Sequence, residues 1–274
     1  MNRLMNRLMK TTLLSLGILS LNACVSQSTK SGDVGIERKQ LLLVSEQEMM
    51  QGGAQAYAGV LNEAKQNKQL NTDPVLTKRV RAIADRLIPQ TAIFRPDAPK
   101  WNWEVNVLKS DELNAWCMPG GKIAFYTGII EKLQLTDAEI AAIMGHEMAH
   151  ALREHSRERA SNQMVQNLGL VALGALAGVE EKYLGAAALA MQVTLTLPNS
   201  RTHEIEADRM GVELAARAGY DPYAAVTLWE KMQKQSGGGQ PMEFLSTHPA
   251  HENRIKDLNV YAKRVYPLYL QTKK

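Results

Sequence analysis

The sequence predicts an α+β fold that is mainly helical, and three observations support this prediction. Capping boxes open two segments with helical spacing: Ser45 with Glu48, and Thr136 with Glu139. The stretch 101–107 alternates apolar and polar residues, as a strand with one buried face does. Helical and extended segments do not alternate regularly, as they would in an α/β protein. A small sheet flanked by helices is therefore expected.

Each element has its own local signal. Asp73-Pro74 and Asp221-Pro222 each start a helix, because the acid caps the backbone N–H groups and proline suits the first turn. Pro119-Gly120-Gly121 predicts a turn between two extended stretches. In chain order the predicted elements are helices over 46–67 and 74–87, strands over 101–107, 114–118 and 122–126, and helices over 136–159, 200–218, 222–235 and from 250 onward.

Two stretches interrupt this order. The Ala/Gly/Leu-rich stretch 164–197 is predicted to form two buried or interface-facing helices, with a movable cover over a functional site as the alternative. Residues 236–241 are predicted to be a flexible break. Nothing else suggests a boundary, so residues 37–274 are expected to form one domain.

Composition excludes several classes of protein. Of 274 residues, 45% are hydrophobic and 22% are charged, which is ordinary for a globular chain and unlike a disordered or disulfide-stapled one. The formal net charge is +4. Three of the basic residues, Arg3, Arg7 and Lys10, lie in a segment expected to be removed. No clustered basic face remains, so the sequence does not predict nucleic-acid binding.

The first 23 residues predict an export signal. A basic start over 1–10 precedes a short apolar run over 13–21, which is too short to span a bilayer. The following Leu21-Asn22-Ala23-Cys24 resembles the cleavage and lipidation site of bacterial lipoproteins, in which Val25 after the cysteine implies the outer membrane. A lipidated Cys24 followed by a flexible tether over 24–36 is expected. A plain signal peptide or a retained anchor is the alternative.

The chain has two cysteines, Cys24 and Cys117. If Cys24 is acylated, Cys117 has no partner within the chain and must be buried or pair with another chain. It stands in the apolar stretch Ala115-Trp116-Cys117-Met118, so burial is expected.

The sequence His146-Glu147-Met148-Ala149-His150 carries the chemistry of a metal site. Two histidines four residues apart lie on one face of a helix, so both imidazoles can reach one ion. Glu147 then points beside the ion and can accept a proton from the attacking water. The alternative is that both are core histidines whose ring nitrogens form hydrogen bonds and hold no metal.

A catalytic zinc needs a third protein ligand and an open position. A third histidine six positions beyond His150 is excluded, because Ser156 stands there. Glu204 and Asp208 share a stripe of small residues on a later helix, and that stripe predicts an inward face. Glu204 as a ligand and Asp208 as the group orienting a ligating histidine would resolve the cost of burying two carboxylates.

The same stripe puts Glu206, Glu213 and Arg217 on the outer face of that helix. A simpler alternative for Glu204 and Asp208 is a salt bridge with Arg201 or Arg209.

These motifs together resemble the HtpX and CAAX-prenyl-protease group of gluzincin zinc metallopeptidases. Within this group the sequence looks like bacterial outer-membrane lipoproteins such as LoiP and YcaL, and like the protease domain of BepA without its helical repeats. Besides the two motifs, the resemblance rests on stretches that cover roughly residues 45–265. They are Asn114-Ala115, Pro119-Gly120-Gly121-Lys122-Ile123, Thr127-Gly128, Ser200-Arg201, Thr247-His248-Pro249 and Arg254-Ile255.

The resemblance implies a gluzincin-type domain over 37–274 whose small sheet packs on the active-site helices. It implies one Zn²⁺ per chain held by His146, His150 and Glu204, with Glu147 as general base. His248 would act as an oxyanion stabiliser or a gating group, with a surface histidine as the alternative. The strand around Asn114 and Ala115 would bind extended substrate by backbone hydrogen bonds.

The function that follows is an endopeptidase of the bacterial periplasm, tethered by lipid to the outer membrane. Its expected partners are unfolded or misfolded envelope proteins. A metal-containing chaperone or assembly factor with latent peptidase activity is the alternative. A serine hydrolase is rejected because no G-x-S-x-G occurs, and a phosphate-binding loop because Ile123 follows Lys122.

Overall fold

A computed structural model describes residues 25–175, 186–236, 243–249 and 253–273, without side chains at 167–175, 186–188 and 236. The predicted signal peptide over 1–23, the lipidation site Cys24 and most of the break over 236–241 lie outside the described residues. The middle of the stretch 164–197, for which a movable cover over the site is the alternative prediction, also lies outside the described residues.

The described residues confirm a mainly helical α+β fold with small sheets. The strands are β1 (Val25–Ser26), β2 (Gln40–Leu41), β3 (Glu104–Leu108), β4 (Ala115–Met118) and β5 (Lys122–Tyr126). The helices are α1 (Glu46–Gln66), α2 (Pro74–Leu87), α3 (Thr127–Lys132), α4 (Asp137–Leu152), α5 (His155–Ala175), α6 (Ala186–Met191), α7 (Arg201–Arg217), α8 (Ala224–Ser236), α9 (Glu243–Thr247) and α10 (Arg254–Gln271). In the described residues, no helix has both the length and the apolar character needed to cross a bilayer.

The main sheet has the strand order β3–β5–β4, with β5 parallel to β3 and antiparallel to β4. The tight return from β4 to β5 passes through Gly120 and Gly121, whose φ angles of 81° and 80° favour glycine. Strand β3 begins at Glu104 rather than at Trp101, because the backbone N–H of Trp103 donates to the carbonyl oxygen of Trp101 at 2.8 Å in a local turn, and pairing with the residues before β5 starts at Glu104. Strand β4 is left at the edge of the sheet.

The helix predicted over 136–159 is two helices. Its start is as expected, with the capping box of Thr136 and Glu139 formed. The chain then breaks between α4 and α5, where Glu154 adopts a left-handed φ of 53°. The break redirects the chain, so residues after 154 return towards the carboxyl end of α4.

The prediction of a flexible tether over 24–36 is wrong for residues 25–36. Strand β1 pairs with β2, and Lys30 donates its backbone N–H to the carbonyl oxygen of Phe94 at 2.8 Å. Val34 and Ile36 are buried in the main core, where their apolar side chains leave water. We call residues 25–41 the N-terminal strap.

Helices α4 and α7 lie in direct backbone contact at Gly145 and Gly211. A Cβ atom on Gly211 would lie 2.7 Å from the backbone nitrogen of His146, and one on Gly145 would lie 2.8 Å from the carbonyl oxygen of Gly211. Only residues without a side chain permit this approach. It brings the helix that carries Glu204 against the helix that carries both motif histidines.

The expectation that Glu206 and Glu213 lie on the outer face of α7 is wrong, since both are buried. The N-terminal strap covers that face. Glu213 accepts hydrogen bonds from Arg217 and from the backbone N–H of Val34 at 3.1 Å. Burial of Glu213 is thus balanced in part by a donor of the strap, which pattern analysis of one helix does not include.

Cys117 is buried in β4, as the sequence predicts. Burial raises the pKa of the Cys117 thiol well above its ordinary value, with the nearby charge of Glu147 adding to the shift. A protonated, buried thiol is a poor nucleophile, so Cys117 serves as a packing residue.

Candidate active site

Four side chains from three parts of the fold converge on one point. Helix α4 contributes His146 and His150, helix α7 contributes Glu204, and the turn after α9 contributes His248. The Nε2 atoms of His146 and His150 are 3.0 Å apart; Oε2 of Glu204 lies 3.5 Å from the first, and Oε1 of Glu204 lies 3.3 Å from the second. All four residues are buried.

The donor set fits a zinc ion. A tetrahedral ion with bonds of about 2.0–2.1 Å requires its ligand atoms to lie roughly 3.3–3.4 Å apart, close to the spacing found here. Two imidazole nitrogens and a carboxylate oxygen are also the donor types of catalytic zinc sites. Burial lowers the pKa of His150 well below its ordinary value, so its lone pair is free for a metal ion.

The charge of Glu204 also supports a metal-binding site. Burial alone would raise the pKa of this carboxyl, but the positive charges of His248, Arg254 and His146 together hold the pKa well below its ordinary value. Glu204 is therefore a carboxylate, the form that binds cations.

Asp208 lies behind His146, where the sequence analysis expects a group that orients a ligand. Its Oδ1 is 2.9 Å from Nδ1 of His146. Arg254 joins this carboxylate to the ligand carboxylate, since Nη2 donates to Asp208 at 2.7 Å and Nη1 donates to Glu204 at 2.8 Å. Arg254 itself packs on the ring of Trp229, 3.5 Å from the ring centre.

The alternative prediction, in which Glu204 and Asp208 form salt bridges with Arg201 or Arg209, is therefore wrong. The structure pairs Glu204 and Asp208 with Arg254, and it pairs Arg209 with Asp257.

Glu147 lies beside the cluster and outside it. Its Oε1 is 3.3 Å from Nε2 of His248 and has no hydrogen-bond partner among the described side chains and backbone. Burial raises the pKa of Glu147 despite the opposing charges of His248 and His146. A raised pKa brings a carboxylate closer to the range in which a general base works well.

The surface alternative for His248 is wrong, because this residue is buried in the cluster. Its Nδ1 lies 3.2 Å from Nε2 of His146 and 3.0 Å from Oε1 of Glu204. Its ring stacks on Phe244. Nδ1 of His248 thus stands among the ligand atoms, as a fourth donor.

The edge strand β4 runs past this site. The backbone of Cys117 lies close enough to Glu147 to lower the pKa of its carboxyl, and the carbonyl oxygen of Leu113, next to the predicted Asn114-Ala115 edge, accepts a hydrogen bond from the backbone N–H of Phe244 at 3.0 Å. Asn114 uses its side-chain oxygen to cap the N–H of Ala115. The start of the strand therefore adjoins the segment that carries His248, and its second half adjoins Glu147.

Three residues of the site have no role in the sequence analysis. Arg254 stands in Arg254-Ile255, one of the stretches that carried the resemblance, and that was its only signal. His155 and Glu206 lie behind His150, and no pattern indicated them. His155 is five residues from His150, a spacing that a continuous helix would not bring into contact.

Comparison with known proteins agrees with this geometry. Residues 74–262 match the model of peptidase family M48. The chain is 32% identical to the mitochondrial metalloendopeptidase OMA1 of Bos taurus over 234 residues, which are 81% of this chain and 44% of that protein. It is 39% identical to the mitochondrial metalloendopeptidase OMA1 of Arabidopsis thaliana over 156 residues, which are 57% of this chain and 30% of that protein.

A third relative is bacterial. The chain is 28% identical to the beta-barrel assembly-enhancing protease of Escherichia coli O157:H7 over 212 residues, 74% of this chain and 42% of that protein. The chain thus spans less than half the length of each of these three relatives. The family model covers more than half of the chain and includes every residue of the cluster, so this chain belongs to peptidase family M48.

Proposed function

We propose that this chain is a zinc-dependent metalloendopeptidase of the bacterial periplasm that hydrolyses peptide bonds of unfolded or misassembled envelope proteins. The observation that carries the chemistry is the meeting of His146, His150 and Glu204 at one point, with the free carboxylate oxygen of Glu147 beside it. The substrate class is supported by the edge strand β4, which suits extended chains, and by the similarity to a beta-barrel assembly-enhancing protease.

Each residue has a part in the proposed reaction. A zinc ion held by His146, His150 and Glu204 would supply a Lewis acid that polarises the scissile carbonyl and lowers the pKa of the attacking water. Glu147 takes the proton from that water at Oε1 and passes it to the leaving amine. Asp208 and Arg254 hold His146 and Glu204 in position.

Removal of metal is the direct test of this proposal. The purified chain is expected to cleave casein and to lose that activity after treatment with a chelator. One equivalent of zinc should restore the cleavage, because the site offers a single set of ligands. Cleavage measured by gel and zinc measured by atomic emission would check both parts. Casein cleavage that persists in the metal-free chain would contradict a zinc-dependent mechanism.

The proposed location rests on the first 25 residues. An apolar run of export-signal length is followed by Cys24 at a lipidation-type site, and Val25 after it suits the outer membrane. The strap begins directly after this cysteine, so the folded domain would lie close to the membrane surface.

Replacing Cys24 with serine is expected to move the protein from the membrane fraction to the soluble periplasmic fraction, because the acyl chains would have no attachment site. Fractionation of cells followed by immunoblotting measures this. Cys117→Ala is the matched control, since it removes the other, buried cysteine and should leave the protein in the membrane. Retention of the Cys24→Ser protein in the membrane would overturn the lipid anchor.

A second candidate function is a chaperone or assembly factor whose peptidase activity is latent. One observation favours it: Nδ1 of His248 stands among the ligand atoms, in the position that a catalytic zinc leaves open for water and substrate. If all four donors held the ion, the site would be of the closed, structural kind. The enzyme would then work only after His248 leaves.

Replacing His248 with alanine separates the two candidates. If His248 holds the site closed, we expect His248→Ala to keep its zinc through the other three ligands and to cleave casein several-fold faster than the wild type. Zinc content and initial cleavage rates would be measured side by side. A slower variant with full zinc would instead make His248 a participant in catalysis.

A further inference from the structure

A buried polar cluster lies directly behind the ligand His150. His155 is fully buried, and its Nδ1 lies 2.8 Å from Nδ1 of His150. On the far side of the same ring, Nε2 of His155 lies 2.9 Å from Oε2 of Glu206. The three side chains form a continuous line from the metal-binding cluster to a carboxylate.

The direction of hydrogen bonding along this line follows from its two ends. Nε2 of His150 faces the other ligand atoms, so a bound metal ion would take its lone pair and Nδ1 would carry the proton. His155 must then accept at Nδ1 and donate from Nε2, because the Glu206 carboxylate only accepts. One tautomer of His155 meets both demands.

Glu206 is held firmly as an acceptor. Arg38 donates to it at 2.8 and 3.0 Å, and Arg153 donates at 3.2 and 3.3 Å. Arg38 also pairs with Glu158, so the cluster has two guanidinium groups and two carboxylates and needs no further charge.

The N-terminal strap completes this cluster. Arg38 itself belongs to the strap, and Arg153 donates to its Thr29 hydroxyl and to the carbonyl oxygen of Arg38. Gln40 bridges the carbonyl oxygen of Arg153, at the end of α4, and Glu158 at 2.7 and 2.8 Å. Removing the strap would leave Glu206 with one arginine and Arg153 with unpaired donors.

The two histidine ligands are therefore supported in different ways. His146 meets the carboxylate of Asp208 directly, whereas His150 reaches a carboxylate only through a second imidazole. A buried ion-pair network that served stability alone would not require a neutral ring between its carboxylate and a ligand. The position of His155 corresponds to that of Asp208 on the other ligand.

We propose that His155 is a positioning residue for the metal ligand His150, and that Glu206 and the N-terminal strap hold His155 in this role. The proposal rests on the zinc site of the proposed function. The N-terminal strap, which directly follows the predicted lipid anchor, would then support the active site through Arg38.

The test compares four variants of the full chain by zinc affinity, measured in competition with a chromophoric chelator. His155→Leu and Glu206→Gln are expected to bind zinc on the order of 10- to 100-fold more weakly than the wild type, as loss of such supporting partners does. His155→Gln should restore most of the affinity, because its amide oxygen can accept from His150 and its nitrogen can donate to Glu206.

Glu213→Gln is the matched control. Glu213 is a fully buried carboxylate on the same helix and also bonds an arginine and the strap, but it does not touch His155. It should lower thermal stability without changing zinc affinity. The visible spectrum of the cobalt-substituted proteins gives a second readout, which should change in His155→Leu and Glu206→Gln and not in Glu213→Gln.

The outcomes are distinct. Wild-type zinc affinity and an unchanged cobalt spectrum in a folded His155→Leu would overturn the positioning role and leave the proposed function intact. Equal weakening in Glu206→Gln and Glu213→Gln would also overturn it, because the effect would then be one of general stability. A wild-type chain that binds no zinc would overturn the proposed function together with this inference.

Discussion

Replacing Glu147 with glutamine is expected to reduce casein cleavage by about 100- to 10,000-fold, the usual contribution of a general base. Glutamine has the same shape but cannot take a proton from water. Its amide would still fill the space beside His248 and Cys117. Zinc content should stay at the wild-type level, because Glu147 is not among the ligand atoms.

Glu139→Gln is the control for this variant. Glu139 is a buried glutamate on the same helix, and it bonds Thr136 and Lys231 at the opposite end from the site. Its variant should lose some stability and keep its cleavage rate. Full activity in Glu147→Gln would exclude a general-base role, whereas loss of zinc in that variant would make Glu147 a ligand.

The second large effect is expected at Glu204. Glu204→Gln should lose its zinc on dialysis and with it all measurable casein cleavage, because the only anionic ligand of the cluster is removed. Arg254 would also lose one of its two carboxylate partners. Leaving a buried charge partly unpaired typically costs about 3–5 kcal/mol, so a lower melting temperature is expected as well.

Glu213→Gln separates these two effects. It removes a buried, arginine-bonded carboxylate from the same helix at a distance from the cluster, so it should lower stability and keep zinc. Glu206 cannot serve as this control, because it contacts His155 behind the ligand His150. A Glu204→Gln protein that holds one zinc as tightly as the wild type would show that Glu204 is not a ligand.

Local signals predicted the parts of the fold that depend on neighbouring residues. The capping box of Thr136 and Glu139 starts α4 where expected, and Ser45 and Asp73 cap α1 and α2. The spacing of His146 and His150 needs only a helix to bring two imidazoles together. The small-residue stripe also predicted correctly that Glu204 and Asp208 face inward, because that face packs on α4.

Errors arose where a distant segment changed the environment of a residue. The stripe on α7 assigned Glu206 and Glu213 to solvent, but the N-terminal strap covers them and supplies donors. Residues 25–36 of the strap were expected to form a flexible tether, because their polar composition hid the two apolar residues, Val34 and Ile36, that pack into the core. No periodicity relates residues that lie more than 150 positions apart.

The sequence by itself determined the chemistry of this protein. His146, His150 and Glu204 could be named as candidate metal ligands, with Glu147 as the base beside them, because ligand type and helical spacing are local properties. Only the tertiary structure decided how that site is supported. The left-handed turn at Glu154 brings His155 onto His150, and the approach of Gly145 to Gly211 brings Glu204 onto His146. Both depend on backbone geometry and packing across the chain, which spacing along one helix does not encode.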